Sequence, residues 1–325
     1  MPPAVIMEKQ KLIAIAGPTA SGKTALAVTV AKALSGEVIS NDSMQVYRGM
    51  EISTAAPTVE EMDGVPHHLI GILSPDEDFS CADYAALAKE KIKEVASRGK
   101  LPVMCGGTGL YLDSVLKVND FSEGIKNEDL RLELSRYSEE HGAEALHEML
   151  KKFDPEAAEA IHMNNVRRVI RAIEIYKTTG ITKTEWDRRS TEKAGEYDSL
   201  TVVLDFLSRE LLYSRIDRRV DVMVSQGLLS EVEALFNGGY LENGKPAAQA
   251  IGCKEFIPYF AGEIGLEEAL EEVKTASRRY AKRQITWFRR YKDALVIHPD
   301  REDGSLKSTD ELLSEILRIF PNKDL

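Results

Sequence analysis

Gly17-Pro18-Thr19-Ala20-Ser21-Gly22-Lys23-Thr24 is a loop bounded by two glycines, with a lysine and a threonine directly after the second. These residue types suit a phosphate. With no side chains in the way, backbone N–H groups can converge on phosphate oxygens. Lys23 adds a full positive charge, and the Thr24 hydroxyl is a hard oxygen ligand for Mg²⁺. Such a loop works when it leaves a strand and opens a helix whose N-terminal dipole faces the anion. Both neighbours are present: Lys11–Ala16 is a short apolar strand, and an Ala/Leu-rich helix is expected from Lys23 to Leu34.

The acid that usually accompanies this loop is missing from its usual place. In nucleotide-hydrolysing proteins of this kind an apolar strand ends in an Asp that supports the metal. Here the candidate strand, Leu101–Cys105, runs into Gly106-Gly107-Thr108-Gly109. An acid occurs instead after the strand Glu37–Ser40, at Asp42 in Asn41-Asp42-Ser43-Met44-Gln45-Val46-Tyr47. A carboxylate beside dense phosphate charge suits a general base better than a phosphate ligand. Asn-Asp-Ser is equally ordinary turn chemistry, so both readings stand. His67 and His68 follow Pro66 without metal-ligand spacing and read as structural, while Trp186 and the methionines read as packing.

Two basic clusters stand out against a net charge of −11. Between Arg278 and Lys292 lie Arg278, Arg279, Lys282, Arg283, Arg289, Arg290 and Lys292, with no acid, where a window of that size at the chain average holds about two basic residues. Ala281, Gln284, Ile285 and Phe288 share one helical face there, and Tyr280, Trp287 and Tyr291 interleave as stacking platforms for bases or riboses. Arg167, Arg168 and Arg171 lie opposite the apolar stripe Val166, Val169, Ile170, Ile173 and Tyr176, which ends at Gly180. Solvated helix faces are the plain alternative. Two clusters in an acidic chain favour a polyanion partner.

The elements that must carry these residues follow from periodicity. Strands and helices alternate up to Leu101–Cys105, with a helix over Ala82–Ser97, which argues for a parallel sheet with helices on its faces. From 123 to 197 the pattern turns wholly helical, with Asp154-Pro155 as a helix start, and 192–196 reads as a linker. Ser199–Leu204 returns as a strand. The expected fold is therefore α/β: a parallel sheet core built from 1–122 and 198–325, with a helical insertion domain at 123–197. The chain has 325 residues, 43% hydrophobic and 29% charged, which excludes a disordered or collagen-like protein. No apolar run approaches a membrane span, and Met1–Val5 lacks the features of a signal peptide. Cys81, Cys105 and Cys253 are scattered and odd in number, so a reduced, cytoplasmic protein is expected.

The ordered set of motifs resembles the tRNA dimethylallyltransferase family, which isopentenylates the adenosine 3′-adjacent to the anticodon. The resemblance rests on Gly17–Thr24, Asp42–Tyr47, Gly106–Tyr111, Arg215-Ile216-Asp217-Arg218-Arg219-Val220, Gln249-Ala250-Ile251-Gly252 and Lys282–Arg289, and it covers about residues 11 to 298. It implies a P-loop NTPase-like core whose loop, Gly17, Pro18, Thr19, Ala20, Ser21, Gly22, Lys23 and Thr24, holds the diphosphate of dimethylallyl diphosphate. It implies Asp42 as the base toward the adenine amine, Thr108 on the bridging oxygen, and Arg219 with Lys23 and Mg²⁺ on the leaving diphosphate, Thr24 being the metal ligand. Contacts to the tRNA anticodon stem-loop are implied for Asp42, Ser43, Met44, Gln45, Thr108, Arg131, Arg167, Arg168, Arg171, Gln249, Gly252, Lys254, Lys282, Arg283, Gln284, Trp287 and Arg289. Cys253 stands where the family commonly has tyrosine. A monomer is expected. The competing readings are a small-molecule kinase, an isopentenyltransferase acting on free adenine nucleotide, and a non-enzymatic RNA-binding module.

Overall fold

The computed structural model describes residues 9–117, 127–192 and 195–320. In chain order the elements are β1 (Gln10–Ala16), α1 (Lys23–Ala33), β2 (Gly36–Ser40), α2 (Val59–Met62), β3 (His67–His68), α3 (Cys81–Ser97), β4 (Leu101–Gly106) and α4 (Gly109–Leu116). They continue with α5 (Glu128–Lys151), α6 (Pro155–Ala160), α7 (Val166–Thr179), α8 (Lys183–Glu192), β5 (Tyr197–Leu204), α9 (Arg209–Ser225) and α10 (Leu228–Asn237). The last are α11 (Ile257–Phe260), α12 (Leu266–Phe288), β6 (Leu295–Ile297) and α13 (Thr309–Leu317). The chain forms two compact units, one from 1–112 with 197–325 and the other from 113–196.

The first unit is built on six parallel strands in the order β3-β2-β4-β1-β5-β6. Burial on both faces explains why β1 and β4 read as unbroken apolar runs rather than alternating ones. Leu26 and Val30 of α1 and its cap residue Leu34, with Leu312 and Ile316 of α13, pack against Ile13, Ile15, Val38, Val103 and Val202. Tyr84, Ala88, Ile92 and Val95 of α3 are also buried, and the Tyr84 hydroxyl donates to the Ser40 carbonyl. From β1 the chain passes over β4 to β2, and β5 returns on the other side of β1. That reversal of strand order opens a crevice at the carboxyl ends of the central strands. A further cluster, with Val46, Met50, Val220, Val232, Phe256 and Val273, supports the segment after β2.

The second unit is helical. Leu134, Leu146 and Leu150 of α5 pack with Ala157, Ala158, Val169, Ile170 and Ile173. Asp154 caps α6 by accepting from the Ala157 amide, and left-handed Gly180 closes α7, as the spacing predicts. Gly142, at φ 86°, breaks the run of α5. The expected insertion start at 123 lies outside the described residues, as does part of the 192–196 linker and the Met1–Val5 terminus. Tyr197, expected as the last residue of the insertion, instead opens β5 opposite Gln10.

Candidate active site

The loop after β1 has the conformation its glycines permit. Gly17 has φ 149°, and a Cβ there would lie 2.7 Å from the Leu204 carbonyl oxygen. Gly22, left-handed at φ 90°, heads α1 without a side-chain cap, so the helix presents backbone amides rather than a capping oxygen. The Lys23 ammonium donates to the Pro18 carbonyl at 2.6 Å. Burial pulls it down to about 8, with the Cys105 sulfur and Asp42 opposing the shift and Arg219 reinforcing it. The buried Ser21 hydroxyl has no partner among the described residues. Arg219, from α9, donates to the Thr19 hydroxyl and to the Ala55 carbonyl, both at 3.1 Å, and burial lowers its pKa despite Asp42 and Glu61. Two partly buried cations lining one cavity make a strong anion site.

The carboxyl end of β2 is stitched to the end of β4. The Asn41 amide donates to the Cys105 carbonyl and the Thr108 amide to the Asn41 carbonyl. Gly106 must lack a side chain here, because a Cβ would overlap the Asn41 backbone. Asp42 Oδ1 accepts from the amides of Met44 at 2.9 Å and Gln45 at 3.4 Å. The turn role read from Asn-Asp-Ser is thus real for one oxygen, while Oδ2 accepts no hydrogen bond among the described residues. Thr108 Oγ1 accepts from the Ser43 amide at 3.1 Å. Gln45 bridges the Ser40 hydroxyl and the Ala55 carbonyl. The Tyr280 phenol lines the same cavity as Asp42 and is pushed up to about 12 by burial and then by the Asp42 charge. It is an uncharged group that sequence reasoning treated only as a stacking ring.

Cys105 occupies the end of β4, where the metal-supporting acid of a hydrolysing P-loop protein stands. Burial pushes its thiol up to about 11, Lys23 opposing and Asp42 adding, so it stays neutral. Lys23, Thr24, Asp42, Cys105, Arg219 and Tyr280 all open onto one cavity of about 270 Å³. Ser43, Met44, Gln45, Gln249, Lys254 and Arg283 line it as well. Among the described residues no three His, Cys, Asp or Glu form a metal cluster. The donor set therefore fits Mg²⁺ held by one hydroxyl, Thr24, with substrate oxygens and water, which is how this ion commonly binds at phosphate sites.

The expected RNA-contacting residues divide into exposed and committed groups. Lys282, Arg283, Arg289, Gln249 and Lys254 are exposed, as are Arg167 and Arg168 of the second unit. Arg289 follows the end of α12 as its cap, and half-buried Trp287 packs where Gly109 lacks a side chain. Gln284, by contrast, is only 4% exposed, and both ends of its amide are taken up inside the protein. Arg278, counted in the basic cluster, is paired with Asp217 at 2.5 Å. Cys253 is fully buried, so its thiol faces core rather than solvent; Gly252 beside it is buried with φ 92°.

In the second unit Arg131 and Arg171 share one carboxylate that sequence reasoning missed. Glu174, with no exposed side chain, receives Arg131 through Nε and an Nη at 2.9 and 3.1 Å, Arg171 at 2.6 Å, and the Asn127 amide at 2.8 Å. Burial alone would raise its pKa, but the bonds from Arg131, Asn127 and Arg171 outweigh it and hold the carboxyl below its ordinary value. Arg215 was also overlooked as a loop partner; it donates to the carbonyl of Ala20, itself left-handed at φ 61°.

A glycine-rich loop between the central strand of an all-parallel sheet and a helix defines a P-loop NTPase-like protein, here with a neutral thiol in place of the acid. Within that class, the chain belongs to the IPP transferase family, whose profile matches residues 45–291. A tRNA dimethylallyltransferase of Bacillus pumilus is 50% identical over 285 residues, 88% of each chain. Among solved structures, the full-length tRNA isopentenylpyrophosphate transferase of Bacillus halodurans is 47% identical, with a TM-score of 0.70 over 96% of both chains. A eukaryotic dimethylallyltransferase captured acting on tRNA is 31% identical, with a TM-score of 0.77 over 89% of this chain and 74% of its own.

Proposed function

We propose that the protein transfers the dimethylallyl group of dimethylallyl diphosphate to the exocyclic N6 of the adenosine 3′-adjacent to the anticodon in tRNA, releasing diphosphate. The observation that carries this reading is the shared cavity, in which a carboxylate, Asp42, and two partly buried cations, Lys23 and Arg219, meet with a neutral Cys105 where a nucleotide hydrolase has an acid. The relatives named above as tRNA-modifying transferases point the same way.

In the reaction N6 attacks the allylic carbon, a C–N bond forms, the C–O bond to diphosphate breaks, and one proton leaves nitrogen. Asp42 Oδ2 takes that proton while Oδ1 stays anchored in its turn. Lys23 and Arg219, both partly buried, stabilise the diphosphate as its charge grows. Thr108, fixed by the Ser43 amide, addresses the bridging oxygen. Thr24, with substrate oxygens, would hold Mg²⁺, which would add positive charge beside the leaving group. The base must leave its stack to enter the cavity. Exposed Lys282, Arg283 and Arg289, with Arg167 and Arg168, supply phosphate contacts, and Gln249 and Lys254 meet the anticodon loop. No described helix is long and apolar enough to cross a membrane; with three free thiols, the cytoplasm is the proposed location.

The test is incubation with radiolabelled dimethylallyl diphosphate and either unmodified tRNA, a fragment carrying the anticodon stem-loop, or AMP. Label in both RNAs and not in AMP is the expected outcome. Label in AMP alone makes the enzyme one for free nucleotide, and no label anywhere refutes prenyl transfer.

A further inference from the structure

Gln284 sits on α12 among exposed Lys282 and Arg283, in the stretch that the resemblance assigns to tRNA, yet it points inward. Its Oε1 accepts from the Thr19 amide of the phosphate loop at 2.8 Å. Its Nε2 donates to the Gly107 carbonyl, next to Thr108, at 3.0 Å. A side-chain amide has one accepting and one donating end, and each end here meets the complementary backbone group. The space it needs is reserved by Gly107, where a Cβ would overlap the amide nitrogen. Tyr280, one turn earlier on α12, lines the same cavity as Gln284.

We propose that Gln284 is a positioning residue that sets the spacing between the phosphate loop and Thr108, and thereby holds the breaking carbon–oxygen bond in line with the attacking nitrogen. The inference rests on the prenyl-transfer reading. Under that reading the diphosphate lies on the side of Thr19, whose hydroxyl Arg219 also holds, and the bridging oxygen lies on the side of Thr108. The bond that breaks spans the gap that Gln284 crosses. Displacement of a reacting group by about 1 Å can cost about a hundredfold in rate, so a tie at this point acts on the chemical step rather than on binding.

Gln284→Met keeps the length and burial of the side chain while removing both hydrogen bonds. In single-turnover transfer with saturating dimethylallyl diphosphate and tRNA, the rate is expected to fall by about 10- to 100-fold. Equilibrium affinities for tRNA and for inorganic diphosphate should stay within about threefold, since neither ligand loses a contact. Gly107→Ala, which pushes on the same amide from the other side, should give the same split even if Gln284→Met folds poorly. The double variant should be little slower than the slower single one, because the two act through one tie. Weakened tRNA affinity with an unchanged saturated rate would overturn the proposal and make Gln284 an RNA contact. Equal loss of rate, both affinities and melting temperature would make it a fold support only, and wild-type rates in both variants would make it idle. Absence of transfer by the wild-type protein would instead refute the underlying reaction, a result independent of the ratio between variant and wild type.

Discussion

Asp42→Asn separates the two roles that Asp42 combines. The asparagine oxygen can still accept from the Met44 and Gln45 amides, so the turn after β2 survives. The other terminus becomes an NH₂ group, which cannot accept the N6 proton. A general base contributes about 10²–10⁴ in rate, equivalent to about 3–5 kcal/mol of barrier, and that is the expected loss in the saturated transfer rate. Binding responds differently. Removing a negative charge that faces the cavity lessens repulsion of diphosphate, but it also withdraws an opponent of the Lys23 shift. Diphosphate affinity at neutral pH should therefore stay within severalfold of wild type, and the pH above which it declines should move below the wild-type value. The assay is single-turnover prenylation with saturating substrates, alongside calorimetric titration of diphosphate across pH. A rate near wild type would leave Asp42 as a turn residue. Loss of binding in parallel with rate would make it a structural support, and the base would have to be another group.

Lys23, at about 8 in the free protein, makes diphosphate affinity pH-dependent: bound anion holds the proton on, so affinity is full below about pH 8 and falls by up to tenfold per unit above it. Calorimetry in buffers of different ionisation enthalpy should show proton uptake near pH 8 that Lys23→Ala abolishes, with weaker diphosphate binding and tRNA binding intact. Glu174→Leu leaves Arg131 and Arg171 without their shared carboxylate and should destabilise the second unit by about 3 kcal/mol, read as an earlier melting transition. Lys282→Ala and Arg283→Ala should each reduce the slope of log tRNA affinity against log salt by about 0.7–0.9, whereas Arg278→Ala, already paired with Asp217, should change it little. An unchanged slope in the first two would return that surface to a merely solvated face.

What the sequence disclosed was mostly local. The strand, glycine loop and helix of residues 10–33 read correctly because they are contiguous. The inward face of α12 reads correctly because Ala281, Gln284, Ile285 and Phe288 recur at helical spacing, and all four are buried. At Gln284 periodicity and resemblance disagree, one turning it inward and the other placing it on RNA; the burial follows the periodicity. Its partners could not be read at all, since Thr19 and Gly107 lie 265 and 177 residues away. Glu174 was hidden within an apolar stripe, with its guanidinium partner Arg131 on another helix. Strand β6 has three residues, too few for alternation to register.

The glycines at the end of β4 differ in how replaceable they are. At Gly106 the obstacle to any side chain is the Asn41 main chain, which no substitution elsewhere can trim away. At Gly109 the obstacle is the indole of Trp287, and at Gly107 the amide of Gln284. A lesion at either of those two is open to suppression by a smaller partner on α12, whereas a lesion at Gly106 is not. During divergence, positions 107 and 109 are therefore free to drift only as pairs with 284 and 287. Position 106 is locked to glycine for as long as the β2–β4 stitch exists.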